Sequence, residues 1–356
     1  MKPLRSLFKR WLGLGRKVEQ SPKTPHRGIQ DHVIILDGTL SSLEDGHESN
    51  AGLLYKLLSQ LPLKERPHLR YESGAQWPTW RSSLDVLEGR GINKQIRRTY
   101  GVLASRYHPD DRIFLFGYSR GAFAVRSLAG MIDQVGLLKA KHATVRNIRL
   151  AYRLYQGPPD TEAIQAFQAA YCYPSVDIEM VGVWDTVKAL GNRLPVFWRL
   201  TDHRYAFHNH NLGHSAKHGY HALALDETRQ AFAPVMWSSP KGWDGHVQQM
   251  WFRGSHGDVG GQLGGFLEAR PLSNIPFVWM VEKAEALNLA LPEGWRSQFP
   301  CDPNAPSVGR NRSWGKLFMS REKRIIGRDR SERIHSSVPA NHPAQIPLKR
   351  LHENGV

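Results

Sequence analysis

The sequence is poor in cysteine and has no long hydrophobic run, and each absence excludes a class of protein. Only Cys172 and Cys301 occur among 356 residues, so one disulfide at most can form and disulfides do not hold the fold together. No stretch approaches the roughly 18 uncharged apolar residues that a membrane-spanning helix needs. These absences exclude a small disulfide-stapled domain and an integral membrane protein, and they leave the redox compartment open.

Acidic residues are scarce relative to basic ones, and the imbalance lies at the two ends of the chain. The formal net charge is +16, of which residues 1–30 carry +7, residues 302–356 carry +6 and the body between them only +3. Hydrophobic residues make up 40% of the chain, which is enough for a sizeable core. We therefore expect a nearly neutral globular body whose basic ends suit an anionic partner, either a membrane or a nucleic acid.

Residues 1–30 are predicted to form a basic amphipathic helix followed by a linker. Basic residues alternate with an apolar stripe at helical spacing, namely Leu4, Leu7, Phe8, Trp11 and Leu12. Such a helix suits the surface of an anionic bilayer, and it could equally dock on the protein's own body. Because the Lys9-Arg10 pair interrupts the apolar stretch, we do not expect a cleavable signal peptide.

From residue 31 onward, short apolar runs alternate with longer helical patterns. This alternation predicts an α/β fold, with a mostly parallel sheet and helices on both faces. The predicted strands are 32–36, 113–116, 178–184 and 249–252, and the predicted helices lie around 50–61, 91–107, 121–135, 142–155 and 160–170. In such a sheet the ligand site lies beyond the carboxyl ends of the strands, so the residues that follow each strand are the candidates for function.

A serine, an acid and a histidine each follow a predicted strand. Ser119 follows the second strand, Asp185 the third and His256 the fourth. This chain order of serine, acid and base is the order of α/β-hydrolases. Asp226 is the alternative acid and His221 the alternative base, although Asp226 lies in a stretch that could equally be helical.

The neighbours of Ser119 match a nucleophile elbow, the tight turn that exposes a catalytic serine between a strand and a helix. Such a turn leaves no room for side chains two residues before and two after the serine, and Gly117 and Gly121 occupy those positions. The Arg120 backbone N–H is expected to stabilise an oxyanion, with a second donor from Gly38 or Thr39 in the loop after the first strand.

Other chemistries fit the sequence less well. The Asp37-Gly38-Thr39 turn is similar to that of haloacid-dehalogenase phosphatases, but Ile35 stands where their first aspartate belongs. Six histidines between 203 and 221 match no zinc spacing, so we expect neither a metal nor another cofactor. A basic cluster near the C-terminus is interpreted as a solvated face; it contains Arg310, Arg312, Arg321, Lys323, Arg324, Arg328 and Arg330.

Six segments together resemble the α/β-hydrolase catalytic domain of type VI secretion phospholipase effectors. They occur in the family's order and cover roughly residues 31–340, leaving 341–356 as a tail. The segments are 33–39, 117–122, 181–187, 221–227, 251–261 and 333–338. Two departures are that Leu40-Ser41 replaces the family's aromatic-plus-Asn continuation, and that the long membrane-associated module of some effectors is absent.

The resemblance implies a catalytic triad of Ser119, Asp185 and His256 and the hydrolysis of lipid esters. Phospholipid or another lipid ester would then be the substrate, with peripheral contact at an anionic membrane and no nucleic-acid partner. It also implies synthesis in the bacterial cytoplasm, with delivery by type VI secretion as one route out. The alternative from another class is a catalytically idle hydrolase fold that binds nucleic acid or a protein partner.

Overall fold

The computed structural model describes residues 28–74, 90–187, 212–239, 246–309 and 320–342. The predicted N-terminal helix, the linker up to residue 27 and the tail from residue 343 lie outside the described residues. Across the described part, no helix combines the length and the apolar character needed to span a bilayer.

The sheet among the described residues has seven strands, all parallel, in the spatial order β2-β1-β3-β4-β5-β6-β7. The buried apolar runs predicted as strands form its centre, where both faces are covered and the residues are almost all apolar. The strands are β1 (Asp31–Leu36), β2 (His68–Glu72), β3 (Arg112–Tyr118), β4 (Ile178–Trp184), β5 (Ala216–Ala224), β6 (His246–Phe252) and β7 (Glu332–Ile334).

Helices cover both faces of the sheet. They are α1 (Asn50–Ser59), α2 (Arg90–Arg106), α3 (Arg120–Val135), α4 (Val145–Tyr155), α5 (Glu162–Tyr171), α6 (His256–Gly260) and α7 (Arg270–Ala286). Alternate residues of β1 point to opposite faces, so Ile34 packs with α2 to α5 while Ile35 packs with α1 and α7. The predicted α/β class, with a parallel sheet and helices on both faces, is confirmed.

Helix boundaries follow the capping residues rather than the apolar pattern. Helix α4 begins after Thr144 and α5 after Thr161, and each threonine hydroxyl accepts a hydrogen bond from a backbone N–H in the first turn. The sequence pattern had predicted both helices to start two or three residues earlier.

Cys172 is buried and Cys301 exposed, and both are free thiols.

Candidate active site

Ser119 lies in a sharp turn between β3 and α3, at the carboxyl edge of the sheet. Its backbone has φ 56° and ψ −119°, a conformation that non-glycine residues rarely adopt and that is typical of a strained functional turn. Glycines flank it at close backbone contacts: a Cβ on Gly117 would lie 2.7 Å from the Ala122 backbone, and one on Gly121 would lie 2.0 Å from Leu36 O. The turn therefore requires glycine at both positions.

Replacing Gly121 with alanine should reduce the free energy of unfolding by about 3 kcal/mol or more, since the clashing atoms belong to the backbone of β1 and cannot rotate away. The matched control is Gly91→Ala in the first turn of α2, where nothing lies within 4 Å of the added carbon. It should leave stability unchanged or raise it by up to about 1 kcal/mol. Urea denaturation of the three proteins measures both effects, and equal midpoints for Gly121→Ala and wild type would contradict the prediction.

Ser119, His256 and Asp185 form one continuous line of hydrogen-bond contacts. Ser119 Oγ lies 3.0 Å from His256 Nε2, and His256 Nδ1 lies 2.6 Å from Asp185 Oδ2. All three residues are buried, and Ser119 keeps 7% of its surface exposed. These distances fit a general base between a nucleophile and an orienting acid.

The His256 ring is fixed by packing as well as by hydrogen bonds. It opens α6, which is capped by Ser255 in a capping box with Asp258. Its ring contacts the Tyr118 ring, at a centroid distance of 5.0 Å, and the Phe232 ring, at 4.6 Å. Its backbone N–H donates to Glu227 Oε2 at 3.1 Å. The imidazole is thus held by two aromatic neighbours and by its own main chain.

The Asp185 carboxylate is fully buried and saturated with donors. Oδ1 accepts from Ala224 N and from Arg324 Nη1, and Oδ2 lies within hydrogen-bond distance of His256 Nδ1 and accepts from Arg324 Nη2. Burial by itself would raise the pKa of Asp185, but the charge and hydrogen bonds of Arg324, together with His256, outweigh it and hold this pKa well below its usual range. Asp185 is therefore ionised whenever the protein is folded at ordinary pH.

The interpretation of the C-terminal basic cluster as a solvated face is wrong for Arg324. Its side chain is only 4% exposed and bonds to Asp185, because the chain turns back across the ends of β4 and β5. Lys323 and Arg328 are exposed, as expected, whereas Arg310 and Arg312 lie outside the described residues.

Two of the predicted oxyanion donors keep an available N–H. Neither Arg120 N nor Thr39 N has a hydrogen-bond acceptor among the residues that the structure describes. Gly38 differs, because its N–H donates to Asp37 Oδ1 at 2.6 Å. Asp37 is itself buried and accepts from Ser49 and Tyr71, so its carboxylate holds this loop in place. Of the two loop residues predicted as the second donor, Thr39 is therefore the one whose N–H has no acceptor within the described ranges.

The alternative base and the alternative acid bond to other groups than the Ser119 and His256 side chains. His221 lies within β5 and accepts from Thr186 N through Nε2; burial and the charge of Arg126 lower its pKa to about 3. Asp226 follows β5 in a turn, where its carboxylate accepts from Gly254 N. Across the described residues no group of three or more histidine, cysteine or acidic side chains could hold a metal; His203, His208 and His210 lie outside that part.

Several supporting residues escaped sequence reasoning because their signals are not local. Arg324 and Phe232 are distant from the three strand ends in sequence, and only the fold brings them to Asp185 and His256. Glu227 was visible in the segment 221–227 but carried no predicted role; it also pairs with Arg229, whose guanidinium lies over the Phe232 ring.

This protein has an α/β-hydrolase-like fold. The described sheet is all parallel, and the serine at the end of its third strand contacts a histidine that in turn contacts an acid. Residues 30–283 match the family described as the type VI secretion system phospholipase effector Tle1-like catalytic domain. The chain belongs to this family of phospholipase effectors, which confirms the resemblance found in the sequence.

Three individual proteins resemble this chain at low sequence identity. The uncharacterized protein YEL023C of Saccharomyces cerevisiae is 29% identical over 163 residues, which cover 42% of this chain and 22% of the yeast protein. The Tle1 effector, solved bound to the VgrG spike of the type VI secretion system, is 19% identical at a TM-score of 0.36 and covers 69% of this chain and 55% of its own. An uncharacterized protein from Pseudomonas aeruginosa is 16% identical at a TM-score of 0.41, over 77% and 49% of the two chains.

Proposed function

We propose that this protein is a serine hydrolase that cleaves carboxylic esters of lipids, and specifically a phospholipase that acts at a membrane surface. The observation that carries the proposal is the contact of Ser119 Oγ with His256 Nε2 at 3.0 Å in a turn with the backbone geometry of a nucleophile elbow. The family supplies the substrate class, since its members are described as phospholipase effectors. Delivery by type VI secretion follows from the same family membership as part of the proposal.

In the proposed reaction Ser119 Oγ attacks the acyl carbonyl carbon while His256 Nε2 accepts the hydroxyl proton. The carbonyl oxygen takes up the negative charge and accepts hydrogen bonds from the Arg120 and Thr39 N–H groups. The tetrahedral intermediate then expels the alcohol part of the lipid, which takes the proton from His256.

The second half of the cycle repeats these steps with water. His256 deprotonates a water molecule that attacks the acyl-Ser119 ester, and the fatty acid leaves as the serine regains its proton. Asp185 stays ionised throughout, keeps the proton on Nδ1 and stabilises the imidazolium. These steps need no cofactor.

The proposal is tested by fatty-acid release from vesicles of mixed phospholipids, measured with the purified full-length protein. We expect release of fatty acid, and slower turnover of soluble short-chain esters. A folded protein that hydrolyses neither substrate would contradict the proposal. Binding of DNA that falls steeply with added salt would in that case favour the alternative of an idle hydrolase fold.

Contact with an anionic membrane through the basic N-terminus gives a separate prediction. Deleting residues 1–25 should weaken binding to anionic vesicles, since each basic side chain near such a surface contributes about 1 kcal/mol before screening. Turnover of a soluble short-chain ester should not change, because the deletion ends before β1. Co-sedimentation with anionic and with neutral vesicles measures the effect, and equal binding of the full-length and shortened proteins would exclude this role.

A further inference from the structure

Both terminal nitrogens of Arg324 are hydrogen-bonded within the site, although the proposed reaction does not use this residue. Nη1 donates to Asp185 Oδ1 at 2.6 Å and to Ala224 O at 2.7 Å. Nη2 donates to Asp185 Oδ2 at 2.8 Å and to Phe232 O at 2.7 Å. The planar fork of the guanidinium thus spans both carboxylate oxygens and two backbone carbonyls, a geometry that lysine cannot reproduce.

These contacts limit how the Asp185 carboxylate can turn. Its oxygens meet four partners, of which Arg324 provides two, and the rotation that would take Oδ2 away from His256 Nδ1 would break both bonds to Arg324. Asp185 also has a positive φ of 42°, so its backbone sits in a sparsely populated conformation that neighbouring contacts must maintain.

Arg324 reaches His256 by a second path. One carbonyl that it binds belongs to Phe232, whose ring centroid lies 4.6 Å from that of the imidazole. A single side chain therefore restrains the partner of Nδ1 and an aromatic residue that packs against the imidazole.

We infer that Arg324 is a positioning residue of this site, which holds Asp185 and, through Phe232, the His256 ring in the geometry that proton transfer from Ser119 requires. The inference rests on the proposed function. It extends the site to Arg324, which lies between the matched residues 30–283 and the segment 333–338 that resembles the family. A misplacement of about 1 Å in such a constellation can cost about 100-fold in rate, so the expected effect is large for a residue that does not touch substrate.

The hydrogen bond that Arg324 restrains gives the inference a spectroscopic signature. His256 Nδ1 lies 2.6 Å from Asp185 Oδ2, and the proton of such a short, charge-assisted hydrogen bond resonates far downfield of an unbonded imidazole N–H. Because Arg324 Nη2 holds the same carboxylate oxygen, loss of the guanidinium fork should lengthen this contact and move the proton signal upfield.

The test compares Arg324→Met, which removes the charge and the fork, with Arg324→Lys, which keeps the charge and loses the fork. Arg328→Met is the matched control, because Arg328 is an exposed arginine of the same segment. We expect both Arg324 variants to lose about 100-fold in kcat on a soluble ester. KM should change little in either variant because Arg324 does not touch the substrate, so the loss should fall on kcat. The control should match wild type in both respects.

A second measurement is independent of turnover. The proton on His256 Nδ1, identified by its loss in His256→Gln, is observed by NMR in wild type and in the same variants at one fixed pH. An upfield shift or loss of this signal in folded Arg324→Met and Arg324→Lys, with Arg328→Met unchanged, supports the inference even if no ester is hydrolysed, a result that would overturn only the proposed function. A signal at the wild-type position in both Arg324 variants, or an Arg324→Lys protein with full kcat, would overturn the inference while leaving a hydrolase intact.

Discussion

Replacing Ser119 with alanine should lower the turnover of lipid esters by about a million-fold, to the level of the reaction without a nucleophile. The loss is this large because, in the proposed reaction, Ser119 Oγ is the nucleophile and His256 Nε2, at 3.0 Å, is its base. Stability should change little, since the hydroxyl has one protein partner and alanine fits the volume. Fatty-acid release from phospholipid vesicles measures the effect, with thermal unfolding of both proteins to show that the variant is folded.

Ser127→Ala is the matched control for that experiment. Ser127 lies two turns further along α3, is also buried, and bonds to Phe123 O in its own helix and to the Tyr155 side chain, away from His256. Its loss should leave turnover within a few-fold of wild type. If Ser119→Ala kept full activity, the proposed nucleophile would be wrong, and hydrolysis would have to come from another group or from a contaminant.

Replacing Asp185 with asparagine should lower kcat by about ten thousand-fold. Asparagine keeps one acceptor oxygen, which Ala224 N and Arg324 Nη1 would bind at the Oδ1 position, so its NH2 group would face His256 Nδ1. That donor favours the imidazole tautomer that carries its proton on Nε2 and cannot accept one from Ser119. The same change removes the negative charge opposite the buried guanidinium of Arg324, which should reduce the free energy of unfolding by about 3 kcal/mol. Kinetics should therefore be measured well below the lowered unfolding temperature.

Asp226→Asn separates the two candidate acids. Asp226 also follows a strand, but its carboxylate accepts from Gly254 N and approaches His342 instead of His256. We expect its turnover to stay within a few-fold of wild type while Asp185→Asn is nearly inactive. The reverse order of activities would move the acid to the end of β5 and contradict the geometry described for Asp185.

Much of the sheet could be predicted because its central strands are apolar over consecutive residues. Strands β1, β3, β4 and β6 were all found this way. Strand β5 was missed, since its residues include Gly219 and two histidines and carry little β-propensity of their own; pairing with β4 and β6 on either side makes it a strand. Strands β2 and β7 were missed because the first is polar and the second has only three residues.

Local spacing in the sequence was sufficient to predict the turn that carries Ser119. The tight turn around Ser119 needs glycines two residues away on each side, and those are visible in any sequence that forms it. The placement of Asp185 and His256 followed from strand ends, because the carboxyl ends of parallel strands share one edge of the sheet.

The residues that support the predicted site could be identified only from the folded chain. Arg324 belongs by composition to a solvated basic cluster, yet burial against Asp185 makes it the counterion of the site. The Gly38 N–H is taken by Asp37, a detail of loop geometry that leaves Thr39 as the available donor. Such contacts join residues far apart in the chain, so their partners are fixed by packing and by the need to pair buried charges, and no local pattern records them.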